Sequence, residues 1–145
     1  VPTDPNVTVP IGKAKVLKEG SDVSIVAFSI MVGKALEASE QLSNEGIEAE
    51  VIDLRTIRPL DVETIIKSVK KTHRIITVEE GWPTCGIGAE ISSLVCEEAF
   101  DYLDAPVKRV AGVDVPMPYA ANLEKLALPQ SSDIVSAAKA VCYRS

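Results

Sequence analysis

The chain is poor in aromatic side chains, has one histidine, and lacks any pair of cysteines at metal-ligand spacing. Phe, Trp and Tyr make up 4% of its 145 residues, so a core must be built from Val, Ile, Leu and Ala. His73 stands alone, and Cys85, Cys96 and Cys142 form no CxxC. That excludes finger-type zinc sites and an even disulfide framework. The three read as free thiols in a reducing compartment, with Cys96 and Cys142 as small buried hydrophobes inside helical patterns. The net charge is −6, a balance that releases no counterions from a nucleic-acid backbone and argues against such a partner. It favours cationic partners instead. No apolar run approaches the ~20 residues that cross a bilayer, and no basic, apolar leader marks a signal peptide. The first residues, Val1-Pro2-Thr3-Asp4-Pro5, carry no Met, as in a segment cut from something longer.

What is present is an ordinary globular composition, 46% hydrophobic and 25% charged, arranged as alternating strand-like and helix-like segments. Residues 1–9 read as a proline-rich linker and 10–145 as one domain. Lys13–Glu19 and Asp22–Phe28 flank Gly20-Ser21, which predicts an antiparallel pair joined by a tight turn with Gly20 at positive φ. Ile30–Glu45 is an amphipathic helix closed by Gly46. Ile47–Leu54 reads as a strand entering the sheet from its solvent edge, and Thr56–Leu60 as a loop. Asp61 offers an N-cap for the helix Val62–Lys71. Ile75–Val78 is a buried strand that turns, through a glycine-rich loop, into a helix over Ile87–Leu103. Val107–Val113 is a further parallel strand. Pro116 and Pro118 make Asp114–Ala121 irregular, and Ser131 or Ser132 caps a closing helix, Asp133–Tyr143. The fold class is therefore α/β in three layers. A mainly parallel sheet of about five strands carries helices on both faces and an antiparallel N-terminal strand.

The motif that invites a functional reading is Glu79–Gly88. Gly81-x4-Gly86 begins like a phosphate loop, but Ile87-Gly88 stands where Lys-Ser/Thr is required. Gly86-Ile87-Gly88 begins a dinucleotide fingerprint, yet Ile91 occupies the third glycine position. Glu79 and Glu80 would repel a phosphate. The remaining use of the glycines is to let strand and helix join closely. A phospho-acceptor site at Asp53 would need an acidic pair where Phe28-Ser29 stands, so Asp53 reads as a structural partner of Arg55 or Arg58. His73 falls at the amino edge of the sheet with no nucleophile beside it. No catalytic, cofactor-binding or metal-binding set is visible. Trp82 and the Met117/Tyr119 segment put large side chains on loops, either folded onto their own core or marking an interface. Glu97, Asp101 and Asp104 fall at i, i+4 and i+7 of a helix and share one face, a solvated face or a docking stripe for a basic partner.

Five blocks carry a family resemblance: EVIDLRTIRPLD (50–61), TVEEGWP (77–83), GIGAEI (86–91), YLDAP (102–106) and DVPMPYA (114–120). They resemble the carboxy-terminal domain of pyruvate dehydrogenase E1 β subunits, a transketolase C-terminal fold. Branched-chain 2-oxo acid E1 β subunits are the near competitor. The resemblance implies an α2β2 enzyme that uses thiamine diphosphate and Mg2+, both bound outside this domain. The enzyme decarboxylates pyruvate and passes the acetyl group to the lipoyl arm of E2. It also implies a pyrimidine-binding domain upstream, and a mitochondrial matrix location, or cytoplasm in a bacterium. The partners implied are the E1 α subunit, a second β subunit and the basic subunit-binding domain of E2. Asp104 matches the aspartate that meets E2, and the carboxyl end, Ser145 here, contributes in the family. The reading from another class is an autonomous flavodoxin-like nucleotide-binding enzyme that uses Gly81–Gly88.

Overall fold

A computed structural model describes residues 7–144. Strands β1 (Lys15–Lys18), β2 (Val23–Ala27), β3 (Ala49–Asp53), β4 (Ile75–Val78) and β5 (Lys108–Val110) form one sheet in the order β1-β3-β2-β4-β5. All neighbours are parallel except β1, which runs antiparallel to β3. Helices α1 (Met31–Asn44) and α5 (Ser131–Val141) cover one face, and α2 (Val62–Thr72) and α3 (Ile87–Ala99) the other. A short helix, α4 (Ala121–Ala127), lies between β5 and α5. Side chains alternate along the strands as a sheet covered on both faces requires. Val23, Ile25, Ala27, Ile76 and Val78 pack with α1 and α5, while Val26, Ile52 and Ile75 pack with α2 and α3. The expected three-layer α/β class is what the chain adopts.

The N-terminal hairpin is not. β1 pairs with β3, one strand away from the place beside β2 where a tight turn would have put it. Gly20 has no positive φ; its role is close approach. A methyl group there would lie 2.3 Å from the backbone of Ala49 and Glu50. The Ser21 and Asp22 amides both donate to the Glu48 carbonyl, at 3.0 and 2.9 Å. The chain therefore crosses over the start of β3 and enters the sheet beyond it. Other boundaries shift for local reasons. The cap of α5 is Gln130, in a reciprocal capping box with Asp133, rather than Ser131 or Ser132. Helix α3 ends at Ala99 and tightens into a 3-10 turn over Phe100–Tyr102. Cys96 is exposed, because the buried stripe of α3 runs through Ile91, Val95 and Ala99.

β3 is interior to the sheet, and Glu50 is only 2% exposed, contrary to a strand entering from solvent. A polar ladder receives it. Ser68 donates to Glu50 Oε1 at 2.5 Å, and Ser24 joins Ser68 and Thr72 at 2.5 and 2.7 Å. The Lys71 ammonium bridges Glu50 to Glu19 at the end of β1, at 2.6 Å from the latter. Lys71 beside it holds the Glu19 carboxyl below its ordinary range, and Glu19, with Glu50, raises the lysine. Of these charged groups only Glu50 is buried, so removing Lys71 leaves a buried carboxylate without its counter-ion. Lys71→Met should destabilise the domain by roughly 3 kcal/mol, and Glu50→Gln in the same chain should recover part of that loss. Chemical denaturation of the two variants measures this; a silent Lys71→Met contradicts it.

Asp61 anchors the other end of α2. Its carboxylate accepts from the Thr64 amide at 3.2 Å, the Thr64 hydroxyl at 2.9 Å and the Ala14 amide at 2.9 Å. Burial pushes its pKa up, but the Ala14 and Thr64 donors outweigh burial and hold it below the ordinary 3.8. A depressed carboxylate stabilises fully above its unfolded value and loses that contribution as pH falls through the folded one. Asp61→Asn should cost about 1 kcal/mol at neutral pH and flatten the acid limb of the stability profile below 3.8. An unchanged acid limb in urea titrations contradicts this.

Candidate functional site

In a parallel sheet, ligands and partners meet the carboxyl ends of the strands. Here those ends carry the loops after β2, β3, β4 and β5. The β4 loop sets the character of this edge. Glu79 directly follows β4; its side chain turns back under the start of α3, and the residue is 3% exposed. Its two carboxylate oxygens accept from the amides of Ile87 at 2.9 Å and Gly88 at 3.1 Å. These amides are free donors at the positive end of the helix dipole, the groups that would otherwise bind a phosphate. A methyl group at Gly86 would lie 2.5 Å from both Glu79 oxygens, and one at Gly88 2.5 Å from Thr77 Oγ1 and 2.8 Å from Glu79 Oε1. The glycines are therefore shaped around a carboxylate of the same chain.

Arg109 on β5 completes the arrangement. Its Nη2 lies 3.9 Å from Glu79 Oε1 and also donates to the Pro83 carbonyl, tying strand, helix and loop together. The nucleotide reading of Gly81–Gly88 is overturned on this geometry: the anion position is filled from within. A diphosphate fares no better, and no group of three or more His, Cys, Asp or Glu side chains among the described residues could hold a metal ion. The residues here, with Glu79 already on the α3 amides, do not fit thiamine diphosphate or Mg2+.

What the carboxyl edge presents instead is apolar. Trp82 is 51% exposed on the β4 loop, and Tyr119 stands fully in solvent on the segment after β5. Ile30 after β2 and Ile57 after β3 are exposed on the same edge, as are Val113, Val115, Met117, Leu123 and Leu126. Ser29, Arg55 and Cys85, all non-glycine residues at positive φ, also fall on these loops, so the backbone is held in costly conformations on this side. Asp53 accepts the Arg55 amide at 2.9 Å and makes no ion pair with Arg55 or Arg58 among the described residues.

The acidic candidates sit at the opposite end. Glu97, Asp101 and Asp104 are exposed, at the amino edge where α3 terminates. Because the helix stops at Ala99, the predicted helical stripe does not extend to Asp104. That residue is set by its own contacts: its amide donates to the His73 carbonyl at 2.9 Å, and its carboxylate lies 3.3 Å from Arg74. His73 is a left-handed C-cap whose Nδ1 lies 2.9 Å from the Tyr102 carbonyl, a structural place. Ser145 lies outside the described residues. The structure thus separates the candidate partner residues into an apolar group at one edge and an acidic group at the other. Sequence reading missed the internal role of Glu79 and the part of Arg109. The available signal was an acid directly after a β-branched, fully buried strand and seven residues before Gly86.

This combination defines a doubly wound α/β module with a filled anion site and an apolar carboxyl edge. A family model for the transketolase C-terminal domain matches residues 12–134. The chain belongs to the transketolase C-terminal domain family. It is similar to the mitochondrial pyruvate dehydrogenase E1 component subunit beta-1 of Arabidopsis thaliana, 65% identical over 142 residues, covering 98% of this chain and 39% of that protein. The corresponding beta subunit of Rickettsia felis is 61% identical over 137 residues, covering 94% of this chain and 42% of its own length. Among solved structures, a split-gene transketolase, described as an inactive beta4 tetramer, superposes with a TM-score of 0.82 at 36% identity. That match covers 97% of this chain and 44% of the other. The chain spans about two fifths of the length of the curated relatives it matches.

The internal cap yields a prediction. Glu79→Ala should cost about 2–4 kcal/mol, the loss of two charge-assisted hydrogen bonds at a helix start. Formate or acetate at high concentration should restore part of the thermal midpoint by entering the vacated position. A variant as stable as the parent, or one indifferent to small carboxylates, contradicts the assignment.

Proposed function

We propose that this chain is the carboxy-terminal assembly domain of a pyruvate dehydrogenase E1 β subunit. Residues 10–145 form the domain, and 1–9 join it to an upstream pyrimidine-binding domain. The whole α2β2 enzyme decarboxylates pyruvate with thiamine diphosphate and Mg2+ held elsewhere and passes the acetyl group to lipoyl-E2. It works in the mitochondrial matrix, or in the cytoplasm of a bacterium. The names of the similar proteins support pyruvate over a branched-chain substrate. The observation that carries the reading is the carboxyl edge itself. Its ready-made ligand position is closed by Glu79, while large apolar side chains stand in solvent around it. Such a patch belongs under another protein surface. The E1 α subunit covers it in this reading, with Trp82 and Tyr119 as anchoring aromatics. By likeness to the solved tetramer, β subunits also pack on one another.

The amino edge takes a different partner. Asp104 borders an apolar hollow of about 500 Å3 between α3 and the turn that follows it, lined by Cys96, Phe100, Leu103, Pro106 and Val107, and Glu97 and Asp101 are exposed on the same stretch of chain. An apolar floor with an acid at its edge suits the basic subunit-binding domain of E2. Arg74 holds the Asp104 carboxylate in place without neutralising its exposed side. Asp104→Ala should weaken E2 binding by roughly 2–3 kcal/mol and leave the α2β2 assembly intact. Calorimetry of the assembled enzyme against the E2 subunit-binding domain measures it, with Glu63→Ala, an acid on α2 remote from the hollow, as control. Equal affinities for the Asp104 variant and the parent reject the docking role.

A further inference from the structure

Asp104 stands on the short connection between the 3-10 turn and β5, where its neighbours plug in opposite directions. Ala105 packs into the core shared with α1 and α5, and Leu103 and Val107 pack against the core shared with α2 and α3. The Asp104 side chain is left outside, 54% exposed. All three of its polar groups are nonetheless engaged. Its amide donates to the His73 carbonyl at 2.9 Å, and its carboxylate lies 3.3 Å from Arg74 Nη2. Its carbonyl accepts from the Tyr143 hydroxyl at 3.0 Å, across 39 residues of sequence. Two of these contacts come from the junction of α2 and β4; the third reaches over from the turn that follows α5.

Tyr143 is an unfavourable residue for its own position. Its φ is +54°, a left-handed conformation that glycine or asparagine takes readily and a bulky side chain does not. Its ring is 72% exposed, so burial does not account for it. The bond to Asp104 is the one hydrogen bond its side chain makes among the described residues. The turn that carries it has its own anchor, since Cys142 is half-buried with Sγ 3.8 Å from the Asp22 carbonyl. An exposed hydrogen bond on a turn already seated adds little to stability. Its effect is on position: it fixes the backbone from which the Asp104 carboxylate projects.

Resting on the docking role proposed above for Asp104, we infer that Tyr143 is a positioning residue of that site, holding the acid ready for a cationic side chain of the partner without supplying the charge itself. A loose acid on an exposed connection must be ordered on binding, and that ordering is lost from the affinity. With amide, carbonyl and carboxylate all held, the ordering is complete before the partner arrives. The two residues then separate kinetically. The Asp104 charge steers a basic partner inward and sets the association rate and its salt dependence. The Tyr143 hydroxyl carries no charge and sets how long the contact lasts.

The test follows association and dissociation of the E2 subunit-binding domain on the assembled enzyme by surface plasmon resonance, for the parent, Tyr143→Phe, Asp104→Ala and the double variant. Tyr143→Phe keeps the ring and removes only the hydroxyl. It is expected to bind about fivefold more weakly, through faster dissociation, with the association rate and its salt dependence as in the parent. The Tyr143 bond goes to the backbone of residue 104, so it survives in Asp104→Ala, and the cycle isolates the carboxylate. In that background Tyr143→Phe should change the affinity by less than about twofold. Circular dichroism and the melting midpoint of Tyr143→Phe should match those of the parent. The inference is overturned if Tyr143→Phe binds like the parent while Asp104→Ala is weakened, or if the loss from Tyr143→Phe persists in full when residue 104 is already alanine. Failure of the docking reading looks different: Asp104→Ala itself then binds like the parent, and the inference falls with it.

Discussion

The Glu79 carboxylate on the amides of Ile87 and Gly88 is the contact on which the rest of the carboxyl edge depends. It joins the most buried part of the sheet to the start of α3, supplies the helix cap, and fixes why residues 86 and 88 carry no side chain. It also closes the position that this class of fold most often uses for phosphate. Arg109 extends the contact to the loop that bears Trp82, and Gly112 seats the segment between β5 and α5 against the same loop. One internal anion thus converts a potential ligand site into a rigid mount for exposed apolar side chains.

The two ends of the sheet consequently do different things. The carboxyl end is apolar, and the amino end is acidic beside a shallow hollow. Between them, the polar ladder from Ser24 through Ser68 and Glu50 to Lys71 and Glu19 ties β1 to β3 and α2. That ladder matters because β1 is a short edge strand with partly exposed side chains, and backbone pairing alone holds such a strand weakly. The edge is thus fixed by side-chain contacts as well as by four residues of ladder.

Much of this was legible in the residues. The apolar runs of β2 and β4, the 3.6-residue stripes of α1 and α2, and the Asp61 cap all follow from local pattern. What escaped local reading was decided by distant partners. Gly20 looks like a turn residue, but it serves the passage of one backbone over another, 29 or 30 residues away. Glu50 alternates with Glu48 as a solvent-facing strand residue would, and only Ser24, Ser68 and Lys71 from other elements make its burial tolerable. Helix α4 has no inward stripe to detect, because its leucines face solvent. A helix running to Leu103 would place Asp104 on one face with Glu97 and Asp101, but the chain tightens at Phe100 and takes Asp104 off that face. At the glycine loop the sign of the electrostatics was readable, since two acids oppose a phosphate. That one of those acids is itself the ligand was not, because sequence spacing gives no direction to a side chain.

This domain keeps its own anion site closed and holds exposed apolar side chains around it. Amide hydrogen exchange of the full-length protein, alone and with the α subunit proposed as its partner, tests this most directly. The Ile87 and Gly88 amides should be protected in both states, and the Trp82 loop and residues 113–127 should slow on assembly by an order of magnitude or more. If those loops exchange equally fast in the complex, or if the α3 amides become protected only when thiamine diphosphate or a nucleotide is added, the account is wrong.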